Sequence, residues 1–255
     1  MTGNQLGALL MMGSMAGFTF NDVLVKKVGD AMPLSQILTL RGIVATVLIY
    51  ALARHMGALR WHLPRRDWTL IIARCACELA ATYFFLTALM VTPIANLTAI
   101  LQALPLTITL GAALFFAEPV GWRRLSAILI GFCGVLLIVR PGVDGFGAGT
   151  PYALAAVLAI TARDLVTRRM STEVPSMVVT LMASMSVLTF AALASSQETW
   201  IPVTASNLSL LIVAALFIFA GYLCSVMTMR VGDVAVVSPF RYTGLLWALL
   251  LGWLV

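Results

Sequence analysis

One apolar stretch follows another along this chain, most of them 18 to 24 residues long and separated by short polar turns. Each is long enough to cross a hydrocarbon core of about 30 Å at ~1.5 Å per residue. A backbone in lipid must satisfy its own hydrogen bonds, which leaves helices or closed barrels. Apolar runs without strict alternation select helices. Composition points the same way: 61% of the residues are hydrophobic and 10% charged, where a soluble domain is about half apolar and a quarter charged. The expected fold is therefore all-α and polytopic.

Nine spans are predicted, at about 5–25, 34–53, 68–91, 94–116, 124–139, 150–167, 175–194, 206–229 and 234–254. The first apolar run has neither a basic leader nor a convincing cleavage site, so it reads as a retained helix. Thr92-Pro93 forms a tight turn between the third and fourth spans, because proline disfavours helix at the residue before it. A Gly-rich loop runs from Arg140-Pro141-Gly142 to Gly149. Part of it looks like a phosphate loop, but it follows a membrane helix rather than a strand.

The net charge of +6 arises from short loops between spans, so it reports topology rather than a nucleic-acid partner. With the N-terminus in the cytoplasm, the inner loops hold Arg54, Arg60, Arg65, Arg66, Arg123, Arg124, Arg168, Arg169 and Arg230, and the outer loops only Lys26, Lys27 and Arg140. That asymmetry predicts a bacterial-type inner-membrane protein with a cytoplasmic N-terminus.

The chain repeats itself. At an offset of 142 positions Gly7 matches Gly149, Pro33 matches Pro175, and Asn21-Asp22-Val23-Leu24-Val25-Lys26-Lys27 matches Arg163-Asp164-Leu165-Val166-Thr167-Arg168-Arg169. At an offset of 139, Tyr83 matches Tyr222 and Gln102 matches Arg241. A unit of five spans is odd, so the second copy enters the membrane upside down relative to the first. The predicted units are 1–140 and 149–255. The second ends after its fourth helix, so nine spans are expected here and the tenth is missing.

Ile94-Ala95-Asn96, Leu104-Pro105-Leu106 and Phe115-Phe116-Ala117-Glu118 resemble the EamA repeat of the drug/metabolite transporter superfamily, as does Gly131-Phe132-Cys133-Gly134-Val135-Leu136-Leu137. The second copy carries the matching Ala235-Val236-Val237-Ser238-Pro239-Phe240-Arg241-Tyr242. Ala117 stands where the family usually has glycine. The resemblance implies a ten-helix transporter of two inverted halves that moves small organic metabolites by alternating access through a central cavity. A fainter likeness, in Phe20-Asn21-Asp22 with Lys26, is to members that take up riboflavin or S-adenosylmethionine.

A charge near the bilayer centre costs about 2.5–3.5 kcal/mol on insertion scales, so each one there asks for a reason. Glu78 lies about ten residues into the third span, hence ~15 Å deep, with Arg74 on the same face four residues earlier. The pair could bind a polar substrate group or exchange a proton, or it could lock helices together; Glu78→Gln is expected to abolish any proton-coupled flux. Arg41, Gln102 and Arg241 lie roughly 11–12 Å from their entry faces. Arginine suits an anionic substrate group, and the repeat mates Gln102 and Arg241 fall where a midplane site is expected. Tyr83 and Tyr242 are candidates to stack a flat ligand, as is Tyr222. Asp22 and Asp164, each four residues before a base (Lys26, Arg168), read as interfacial ion pairs or as gates at opposite entrances. Glu118-Pro119 reads as a helix stop, and Gly13 with Gly17 as a close-packing signal.

Neither histidine (His55, His62) falls in a span, and the four cysteines lack chelating or disulfide spacing. A nucleophile with its base, or a metal cluster, is thus missing at depth, so a membrane-embedded enzyme is the weaker alternative to a secondary transporter. A helical scaffold is another. No metal or cofactor is expected. The expected partners are a small-molecule substrate and the bilayer, with room for a coupling proton or ion and a homodimeric copy, and no nucleic acid.

Overall fold

The computed structural model describes residues 2–59, 61–116, 121–122, 126, 129–130, 133 and 147–254. Most of the predicted fifth span lies outside these residues. So do Arg60, Glu118, Pro119, Arg123, Arg124, Arg140, Gly145 and the Gly131–Leu137 motif apart from Cys133.

Every regular element among the described residues is helical: α1 (Gly3–Gly29), α2 (Leu34–His55), α3 (Arg65–Val91), α4 (Ile94–Leu101), α5 (Leu104–Phe116), α6 (Thr150–Arg169), α7 (Ser176–Ser195), α8 (Ala205–Val231), α9 (Val234–Val237), a 3-10 turn (Ser238–Tyr242) and α10 (Thr243–Leu254). Among the described residues, six stretches are long and apolar enough to cross a membrane: α1, α2, α3, Asn96–Phe116, α7 and α8. Large apolar side chains also face outward. Ile72, Leu114, Phe115, Leu158 and Leu193 are each at least 64% exposed, a surface suited to lipid. The chain is a multi-pass membrane protein.

Local chemistry sets the ends of the helices. Thr2 opens α1 with a capping box to Gln5, and Thr204 opens α8 by accepting from the Asn207 amide at 3.2 Å. Proline stands immediately before α2, α3, α4 and α7, at Pro33, Pro64, Pro93 and Pro175. There its fixed φ stops the incoming chain from continuing as helix through it. Two of the spans read as continuous in the sequence are broken. The fourth divides at Gln102-Ala103, where Pro105 has no N–H to give the Leu101 carbonyl. The ninth narrows to the 3-10 turn containing Pro239 and Arg241.

The main helix contacts join the residues before 117 to those after 147. α1 lies along α8, α3 along α6, and α2 against α7. Exchanging α1 with α6, α2 with α7 and α3 with α8 returns the same three pairs. Lipid provides little hydrophobic drive between helices, so small residues and polar contacts hold them together. A Cβ on Gly17 would stand 2.7 Å from the Phe217 carbonyl oxygen and 3.0 Å from Gly221 Cα. Ser14 donates to the Gly221 carbonyl beside it at 3.0 Å. Between α2 and α7 the Thr46 and Ser184 hydroxyls meet at 2.7 Å. Gln36 bonds the Ile201 backbone through both its amide atoms, at 2.8 and 3.0 Å. Gly17 is thus a close-packing residue, as its spacing predicts.

A buried ion network around a central cavity

Between the halves lies a cavity of about 180 Å³. Its apolar wall includes Phe18, Phe85, Leu97 and Ile218, and its polar wall includes Asn21, Asp22, Arg41, Glu78, Gln102, Arg163, Tyr222 and Arg241. The two broken spans place Gln102 and Arg241 on this wall at their interruptions, where the backbone leaves regular helix.

Glu78 on α3 is the hub. Arg74, one turn earlier, stands 3.4 Å from it, and Arg163 of α6 approaches to 3.4 Å from across the interface. The Tyr222 hydroxyl of α8 donates to the same carboxylate at 3.1 Å. Arg163 continues to Asp164 at 2.9 Å, and Arg241 closes the chain on the other Asp164 oxygen. Arg74 also donates to the Thr167 hydroxyl at 3.0 Å. A ladder Arg74–Glu78–Arg163–Asp164–Arg241 therefore stitches α3, α6 and the 3-10 turn together. None of its side chains is more than 7% exposed. Buried ions are tolerated only when paired in this manner, and removing one partner strands another charge.

Arg41 is placed differently. Its guanidinium donates to the Asn21 side-chain oxygen at 2.5 Å, and the Asn21 amide nitrogen donates to Asp22 at 3.0 Å. Among the described residues no carboxylate oxygen stands within 4.0 Å of Arg41, and its Nε has no hydrogen-bond partner.

The structure brings Arg41, Glu78, Gln102 and Arg241 to one cavity, with Arg74 directly behind Glu78. It does not bring Tyr83 or Tyr242 there. They are 50% and 41% exposed, and Tyr83 packs edge-on against Phe84. The expected ion pairs of Asp22 with Lys26 and of Asp164 with Arg168 do not form. Asp22 lines the cavity and Asp164 is buried between two arginines, because both carboxylates face inward while the bases one turn later reach the helix ends. Sequence reasoning assigned no role to Arg163 or Asn21. Their signal was present: they are repeat mates, each directly before the aspartate of its copy.

Those bases hold two equivalent turns. Lys26 donates to the Leu89 and Thr92 carbonyls at 3.3 and 3.1 Å, gripping the α3–α4 turn. Gly149, at the start of α6, abuts the same turn so closely that a Cβ would collide with Thr92 Oγ1 and lie 2.9 Å from Val91 Cγ2. Arg168 donates to the Gly232 carbonyl at 3.1 Å in the α8–α9 turn. A Cβ on Gly7 would stand 3.2 Å from Gly232 Cα and 2.7 Å from Val237 Cγ1. Gly7 and Lys26 are separated along α1 by ~28 Å at the helical rise, so the two turns lie at opposite ends of the bundle, and α6 runs antiparallel to α1.

The EamA-like transporter family model matches residues 5–140. A riboflavin transporter of Rhizobium johnstonii is 28% identical over 78% of this chain and 65% of its own length. The pseudopaline exporter CntI of Pseudomonas aeruginosa is 25% identical over 58% of this chain and 51% of its own. An S-adenosylmethionine uptake transporter of Rickettsia bellii is 22% identical over 60% and 53%. The chain thus spans 51 to 65% of the length of these relatives. One solved crystal structure shares the fold, with a TM-score of 0.75 at 18% identity over 96% of this chain and 86% of that one.

Proposed function

This chain belongs to the EamA-like transporter family, and from that premise we propose that it carries a small organic metabolite across a bacterial-type inner membrane by alternating access. The observation that carries this reading is a polar cavity inside the bundle, with an equivalent clamped turn at each end. Residues 1–140 and 149–255 act as two inverted units, N-terminus in the cytoplasm, and rock about the shared cavity. The exchange-symmetric helix pairs, the antiparallel α1 and α6, and the paired breaks at Gln102 and Arg241 support this.

The roles follow from position. Lys26 and Arg168 close the two ends; Asp22 lines the cavity and Asp164 sits behind its wall, between Arg163 and Arg241, rather than at an entrance. Glu78, Arg74, Arg241, Gln102 and Arg41 form the polar face that meets the substrate or supports what does, and a proton or ion gradient supplies the energy. An enzyme reading is weaker, since among the described residues neither histidine nor cysteine lines the cavity and Glu78 is engaged by two arginines and a tyrosine.

The likeness to a riboflavin and an S-adenosylmethionine transporter selects the first solutes to try. In proteoliposomes holding the purified chain, labelled riboflavin or S-adenosylmethionine should enter unchanged, faster when unlabelled solute is preloaded inside. Flat uptake of both, or recovery of a chemically altered solute, would overturn the proposal.

A further inference from the structure

The loop between α2 and α3 is laid against the bundle rather than extended into water. Gly57 closes α2 with a φ of 62°, its amide donating to the Arg54 carbonyl at 3.1 Å and the Ala58 amide to the Ala53 carbonyl at 2.9 Å. That left-handed turn reverses the chain. Leu59 then packs against the cluster of Ile49, Ala53, Met177 and Leu181, and Leu63 against that of Ile71, Val174 and Val179. Trp61 stacks on Trp68 of α3 with ring centres 6.3 Å apart, and Trp61 remains exposed.

Three exposed arginines frame this loop, Arg54 near the end of α2 and Arg65 and Arg66 at the start of α3. Among the described residues their side chains meet no carboxylate within 4.0 Å and no hydrogen-bond acceptor. Other bases at this end are engaged by the protein. Arg168 holds the Gly232 carbonyl, Arg230 holds those of Val174, Ser171 and Thr172, and Arg169 lies over the Phe116 ring. Asp67, in the same turn as Arg65 and Arg66, is buried and accepts from the Ser171 amide at 3.1 Å. Nor do Arg65 and Arg66 serve their own helix, since a positive side chain in the first turn opposes the macrodipole.

Arg54 lies ~30 Å along α2 from Leu34 at the helical rise, about the thickness of a hydrocarbon core. Tyr50, Val47 and Ile43 precede it on the same face of α2, and all three are exposed. On α3 the exposed Ile72 lies two turns below Arg65. Each apolar stripe thus ends in an unpartnered guanidinium at headgroup depth, beside an aromatic stack of the kind found at membrane interfaces.

We propose that this corner binds anionic phospholipid, with the phosphate on Arg54, Arg65 and Arg66 and the acyl chains along Ile43, Val47 and Ile72. A guanidinium offers a phosphate parallel N–H donors, and basic side chains at a membrane surface attract anionic lipid. The apolar stripes beneath favour a lipid over a soluble anion. This inference goes beyond transport and holds whether or not the chain moves a solute.

Native mass spectrometry of the purified chain in a neutral detergent resolves each bound lipid. Titrated with phosphatidylglycerol and phosphatidylcholine of identical acyl chains, the chain should bind the first tighter by roughly tenfold or more. Arg54→Gln, Arg65→Gln and Arg66→Gln should each weaken phosphatidylglycerol about fivefold and leave phosphatidylcholine unchanged. Lys27→Gln, near the far end of α1, should alter neither. The headgroup alone, as glycerophosphoglycerol, should bind at least roughly tenfold more weakly than the lipid. Equal affinity for the two lipids, equal affinity for headgroup and lipid, or a preference unmoved by all three variants would overturn the proposal. So would displacement of the lipid by equimolar polyglutamate, which would point to a soluble acidic partner instead. The comparisons on the unmodified chain decide the matter even if a variant misfolds.

Discussion

Glu78 and Tyr222 show what a single side chain contributes here. Glu78 meets Arg74, Arg163 and Tyr222 at once, so its loss strands the buried Arg74 guanidinium and leaves Arg163 with Asp164 alone. Breaking a buried ion pair costs about 3–5 kcal/mol. Glu78→Gln should accordingly lower the thermal unfolding midpoint of the detergent-solubilised protein as well as alter flux, and an unchanged midpoint would remove the hub from this account. Tyr222→Phe, which deletes one hydrogen bond to a charged group, should cost less, about 1.5–3 kcal/mol. Tyr83→Ala, on the outer surface, should change neither stability nor uptake. The sequence makes the polar set legible because charges at midplane depth are few. It does not tell which aromatic faces inward, since Tyr83 and Tyr222 are repeat mates and their surroundings differ only in three dimensions. Arg163 was equally hard to place: its partner Glu78 is 85 positions away, and no local pattern pairs them.

Among elements, the helix boundaries were largely legible from proline and from capping residues, while the interruptions in the fourth and ninth spans were not. Pro105 and Pro239 hint at them, but whether a proline kinks or breaks a membrane helix depends on the partners that re-satisfy the freed carbonyls. The turns gripped by Lys26 and Arg168 were invisible too, because each contact joins residues more than 60 positions apart. They yield a paired prediction. Gly149→Val should hold the α3–α4 end open, since even a Cβ there meets Thr92 and Val91. Gly7→Val should open the α8–α9 end. Cysteine probes near each turn, on a background with the native cysteines replaced, should gain reactivity at opposite membrane faces in the two variants. A gain at the same face in both would refute the assignment of one clamp to each end.

For the whole molecule, the repeat in the sequence anticipates the arrangement of helix pairs, and the basic loops give an expected direction in the bilayer. Lys27 and Arg169 are expected in different compartments. Cysteines placed there and treated with a membrane-impermeant reagent on intact cells should label at position 27 and not at 169; labelling of both from one side would end the inverted reading. What the repeat alone could not reveal is that the halves interlock rather than stand side by side, since periodicity records likeness and not contact.

That interlocking bears on how the protein is made. Ser14 waits for Gly221, which is 207 residues further along the chain. At about 5–20 residues per second of synthesis, α1 sits in the bilayer for roughly 10 to 40 s before α8 emerges to cover it. During that interval the small-residue groove and the polar pair Asn21-Asp22 face lipid or the insertion machinery. Translation speed and quality-control proteases therefore act on a half-covered intermediate, and the yield of mature protein depends on how long that intermediate survives.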